Sequence, residues 1–74
     1  GSVTLFAFDK GQALSEHTAP FDAFITLLSG TAEITVSGKP ALVHSEETLF
    51  MPTGSPHSLK AVKAFKMVLV MIKA

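Results

Sequence analysis

The chain has 74 residues, six lysines set against six acidic side chains, and a large hydrophobic share of 47%. That length is one domain, with enough apolar residues for a core but little surface to spare. Zero net charge argues against nucleic acid, whose phosphates select a clustered basic surface, and Lys60, Lys63, Lys66 and Lys73 read as a solvated rim; the absence of cysteine excludes disulfides, thiolate nucleophiles and zinc knuckles.

In chain order the elements are short and extended. Val3–Phe8 (VTLFAF) reads as a strand stopped by Asp9-Lys10-Gly11. The stretch Gly11–Gly30 follows, with His17 near its start and an apolar strand, Ala23–Leu28, near its end. Ala32–Val36 alternates, with Ala32, Ile34 and Val36 on one face and Glu33 and Thr35 on the other. Ser37–Pro40 (SGKP) is a tight hairpin turn, and Ala41–Val43 returns as a short strand. A turn at His44–Thr48 leads into the strand Thr48–Met51, which ends at the Pro52–Pro56 turn (PTGSP). His57–Val62 follows, and Ala64–Lys73 closes the chain as a strand apolar on both faces. A strand of that kind is covered on both sides. One cover is the core and the other is expected to be a second copy of the chain, a homodimer. Many short strands with glycine- and proline-rich turns mean an all-β barrel or sandwich.

Several other chemistries have little support. There is no arginine to clamp a carboxylate or phosphate. The longest apolar run, Met67–Ile72, is too short to span a bilayer, and the first residues do not read as a secretion signal, so a cytoplasmic protein is expected. Ser55 and Ser58 flank His57, but no inward acid orients that imidazole for nucleophilic attack. His44 reads as a surface histidine beside glutamates. Gly1-Ser2 reads equally as native chain or as a cloning remnant.

Two spacings carry a resemblance. Gly11 is followed after five residues by His17, then by Ala19 and Ala23, and Gly30 closes the segment. Later, Pro52, Gly54 and His57 fall in a Pro-x-Gly-x-x-His pattern, led by Glu46. The sequence resembles a small single-domain cupin of the conserved-barrel type over residues 3–73, nearly the whole of a single domain spanning 1–74. In that family the first motif places two histidines and a glutamate where this chain has His17, Ala19 and Ala23. The second places a glycine where this chain has Glu46, and a histidine at His57. An asparagine position follows, here Ala61.

The resemblance implies a minimal cupin β-barrel, a jelly roll or double-stranded β-helix, with a degenerate metal site. His17 and His57 are its expected ligands for a weakly held divalent metal (Zn, Ni, Mn or Fe). Asp22 joins them if a bulge at Pro20 swings it inward. Small cupins carry a further strand or helix ahead of this core. The chain given starts in a strand and so reads as a pared-down or shortened version, with less protected barrel edges.

By strand parity His17, Ala19, Phe21 and Ala23 face the same way as Ile25 and Leu27. The two alanines leave volume, so a pocket is expected from His17, Ala19, Phe21, Ala23, Met51, His57 and Met67, with Phe65 as a further lining residue. Three functions stay open. The first is binding of a small neutral molecule in the barrel mouth. The second is a metal-dependent cupin enzyme (dioxygenase, decarboxylase or isomerase) using His17 and His57. The third is a dimeric scaffold without ligand.

Overall fold

The structure, a computed structural model, describes residues 1–72. It is all β. The strands are β1 (Ser2–Phe8), β2 (Ala13–His17), β3 (Asp22–Ser29), β4 (Thr31–Val36), β5 (Lys39–His44), β6 (Thr48–Met51), β7 (His57–Ala61) and β8 (Phe65–Ile72). They form two antiparallel four-stranded sheets, ordered β1-β8-β3-β6 and β2-β7-β4-β5. Among the described residues no helix is long and apolar enough to cross a membrane.

Alternation decides which side chains fill the space between the sheets. On β3 the inward residues are Ala23, Ile25 and Leu27, on β4 Ala32 and Ile34, and on β8 Phe65 and Met67, all buried. The outward set on β8 is Lys66, Val68, Val70 and Ile72, so both faces of this strand are apolar, as its sequence requires. Among the described residues no polar or charged one is buried. The core is therefore purely apolar, and order comes from shape and strand pairing.

Turn chemistry sets the boundaries. Ser37 and Gly38 both have positive φ, 50° and 78°, the signature of a two-residue primed hairpin turn between Val36 and Lys39. Gly30, at φ 83°, makes the β3–β4 turn, and a Cβ there would lie 2.0 Å from the carbonyl oxygen of Ala64. Only glycine fits that position.

Each expected strand is present, with ends moved by a residue or two, and the returning strand after the hairpin is longer than Ala41–Val43. Lys73, the expected end of the last strand, lies outside the described residues. The element that no pattern announced is β2: ALSEH lacks an apolar alternation, and all five of its residues are exposed. It pairs at the sheet edge with β7.

Candidate functional site

The site is built where the β2–β3 crossing meets the β6–β7 turn. β2 runs antiparallel to β7 with Leu14 opposite Leu59, and an irregularity in the register then brings His17 directly opposite His57. On the other side, the Pro52–Pro56 turn is held to the crossing by three hydrogen bonds. The Gly54 amide donates to the Ala19 carbonyl at 3.0 Å, and the Thr53 amide and hydroxyl donate to Asp22 Oδ1 at 2.8 and 2.9 Å. The Pro-x-Gly pattern thus does mechanical work: it aims β7 so that its first residue, His57, points into the barrel mouth.

The two imidazoles are oriented from behind. His17 Nδ1 lies 2.8 Å from the carbonyl oxygen of Ser15, and His57 Nδ1 lies 3.0 Å from that of Ser55. A carbonyl oxygen only accepts, so both Nδ1 atoms carry the hydrogen. Both Nε2 atoms then face the mouth, 3.0 Å apart, with the rings at 69°. With one proton between them the pair makes a single N–H···N hydrogen bond. With none, two lone pairs face each other and together offer a cradle for a cation, since 3.0 Å is close enough for one ion to touch both nitrogens.

Behind the pair lies a cavity of about 140 Å³. His17, Ala19, Ala23, Met51, His57 and Met67 line it, together with residues that sequence reasoning passed over: Phe6, Leu14, Ile25, Leu59, Leu69 and Met71. Met71 shares its parity on β8 with Phe65, Met67 and Leu69, which was the available signal for it. Apart from the imidazoles the walls are aliphatic, aromatic or thioether.

Three expected members lie elsewhere. Phe21 sits in a groove with Gly1, Ser2 and Met71, outside the cavity. Residues 18–21 cross from one sheet to the other and are not strand, so the parity running from His17 is not carried through to Phe21. Asp22 does not swing inward. It pairs with Ile72 on the outer face, and Thr53 holds its carboxylate below the ordinary 3.8, chiefly through the backbone N–H and then through the hydroxyl. Phe65 is buried in the core and does not line the cavity. His44 is exposed and bonds Glu47 Oε1 at 3.1 Å.

The family model for the cupin domain matches residues 4–73. The chain belongs to the cupin family. Among solved structures, a conserved protein of unknown function from Streptococcus pyogenes is 47% identical to this cupin, with a TM-score of 0.95, over 97% of this chain and 63% of that one. A cupin 2 conserved barrel domain protein from Leptotrichia buccalis is 38% identical, with a TM-score of 0.93, over 96% and 35%. A predicted oxalate decarboxylase from Thermotoga maritima shares the fold at 16% identity, with a TM-score of 0.90, over 97% and 65%. The chain thus spans less than two thirds of the length of each. No curated protein matches it.

Cupins commonly bind transition metals, but the donors here do not fit that site. Among the described residues no group of three His, Cys, Asp or Glu side chains could hold an ion. Catalytic zinc takes three protein ligands and non-heme iron two histidines with a carboxylate. This cupin supplies two imidazoles, with Ala19 and Ala23 at the other two positions.

Proposed function

We propose that this cupin is a binding module for a small, neutral, mostly apolar molecule seated in the barrel mouth, its polar end on the imidazoles of His17 and His57. The observation that carries the reading is the cavity of about 140 Å³, apolar on every wall except for those two rings. An apolar cavity of roughly 150 Å³ accommodates benzene, so the fitting ligand is of single-ring size. A bare Nε2 accepts a hydrogen bond, which selects a hydroxyl-bearing ligand over a hydrocarbon. The same reading takes the protein to be cytoplasmic and to act as a homodimer.

NMR titration with phenol and benzene tests it. Phenol should shift the signals of the cavity methionines and both histidines, with benzene shifting the methionines alone. His57→Ala should weaken phenol by about five- to tenfold, the worth of one hydrogen bond, and leave benzene unchanged. If neither probe perturbs the cavity, the scaffold reading takes over.

The second reading is a metal-dependent cupin enzyme using His17 and His57. The two Nε2 atoms lie 3.0 Å apart, close enough to share an ion, but among the described residues the third protein ligand of such a site is missing. Two imidazole nitrogens without a carboxylate hold Zn or Ni weakly. Calorimetry should show weak binding to the parent and none to His57→Ala.

A further inference from the structure

Each strand of one sheet is joined by a short turn to the strand that faces it in the other, so the edge strand β1 stands over the edge strand β2. Both present an inner face. Ser2, Thr4 and Phe6 of β1 pair with Met71, Leu69 and Met67, all of which line the cavity. Directly opposed residues share a face, so these three point inward. On β2, Leu14 pairs with Leu59, another lining residue. Yet all four side chains are exposed, Phe6 and Leu14 by more than a third. At the other edge of the sandwich Val43 of β5 and Met51 of β6 are buried. The inner faces are covered there and bare along β1 and β2.

Phe6 and Leu14 also line the cavity, so the gap between β1 and β2 is a lateral cleft that runs into it. Its depth follows from the register. Leu14 stands opposite Leu59, two residues or about 7 Å along β7 from His57, so the cleft meets the cavity about one ring's depth below the imidazoles. Beyond it, Phe8 stacks on Phe6 and on Phe65, with centroids 6.1 and 4.8 Å apart, and fills the end toward the β1–β2 turn. A cavity of about 140 Å³ is filled by a single ring. A ring whose hydroxyl sits on the imidazoles turns its para carbon away from them, toward Phe6 and Leu14. No charged side chain stands among the lining residues to pair with an ionic substituent, which selects an apolar one.

We propose that the ligand of this cupin is a hydroxyl-bearing ring with an unbranched alkyl tail, and that the tail leaves the cavity through the β1–β2 cleft, across Thr4, Phe6 and Leu14. The inference rests on the reading of the cavity as the site of such a ring and adds where the molecule continues.

The test is a calorimetric series of phenol, para-ethylphenol, para-propylphenol and para-pentylphenol. Affinity should rise about two- to fourfold per methylene, the worth of a CH₂ taken wholly or partly out of water. In NMR spectra the Thr4 methyl should move with para-pentylphenol and stay in place with phenol. Thr4→Glu puts a charge on the inner face of β1 and should bring the ratio of para-pentylphenol to phenol affinity down to about one. Leu14→Gln, on the opposite wall, should lower that ratio as well. Val3→Glu puts the same charge on the outer face of β1 and should keep the parent's ratio. Thr4 and Val3 are both exposed on an edge strand, so neither replacement disturbs the core. Should Thr4→Glu lose its dispersed amide spectrum, Leu14→Gln decides alone and must lower the ratio. Phenol binding with no gain along the series overturns this inference and leaves the ring reading standing. The inference is equally overturned if Val3→Glu removes the gain and Thr4→Glu does not, because the tail then lies on the outer face. Failure of every probe, phenol included, overturns the ring reading and this inference with it.

Discussion

Glu46 occupies a turn that wants glycine. The His44–Glu47 turn is closed by the Glu47 amide donating to the His44 carbonyl at 3.0 Å, and Glu46, its third residue, has φ 72°. A non-glycine residue in that region costs about 1–2 kcal/mol, partly offset by the greater freedom that glycine loses on folding. Glu46→Gly should therefore stabilise the domain by about 1 kcal/mol, raising Tm by roughly 4–8 °C for a chain of this size. Thermal unfolding followed by circular dichroism checks it, and a lower Tm would mean that the Glu46 side chain makes a contact worth more than the strain. The second-motif spacing had already singled this position out, because glycine is expected where Glu46 stands. At this scale the histidines were legible for the same reason: fixed offsets from Gly11 and from Pro52-x-Gly54 place His17 and His57. The face-to-face Nε2 atoms were not legible, because they depend on the register irregularity after Leu14, and nothing in ALSEH encodes that irregularity alone.

Elements were readable where burial imposes an alternation and unreadable where it does not. β3, β4 and β8 each have an inward face that must be apolar, and the sequence shows it. β2 is an edge strand with both faces exposed, so no hydrophobic period marks it. The crossing that follows it broke the parity argument at Phe21 for the same reason, whereas Asp22 keeps the outward parity that its position gives it. What fixes the crossing is polar: the Asp22 carboxylate bonds the Thr53 amide and hydroxyl. Because these bonds favour the ionised form, the folded-state pKa of Asp22 lies below its ordinary 3.8. A depressed carboxyl contributes stability above its unfolded value and loses that contribution as pH falls through the folded one. The clamp on the β6–β7 turn should thus hold at neutral pH and loosen only below about pH 4. NMR titration should show the Asp22 carboxyl ionising below 3.8, and Thr53→Val should move it upward while the amide bond keeps part of the depression. An Asp22 titration unmoved by Thr53→Val would remove the hydroxyl from the clamp.

Among the described residues one sheet face is left uncovered. On the outer side of β1-β8-β3-β6 the register lines up Val3, Val70, Phe24 and Phe50 across all four strands, with Leu5 and Val68 in the next row and Ile72 beyond. Val3 is 71% exposed, Leu5 70%, Ile72 48% and Phe50 46%. Such side chains together present roughly 500 Å² of apolar area, the upper range for a lone monomer. Two copies meeting on this face would bury about 1,000 Å², the lower bound for a specific interface. A two-fold axis across the strands would bring the Lys66 end of one copy over the Asp22 end of the other, so opposite charges meet at the rim. We propose that a second copy of this cupin covers the face. Leu5→Lys is the sharper probe, because the side chain lies on an edge strand and is mostly exposed in the monomer, so folding of a single copy loses little. Val70→Lys places the same charge at the centre of the patch. Sedimentation should give a dimer for the parent and monomers for both variants. A monomeric parent would leave the face to some other cover, such as a segment beyond these 74 residues. Unchanged dimers in both variants would move the contact to a different surface.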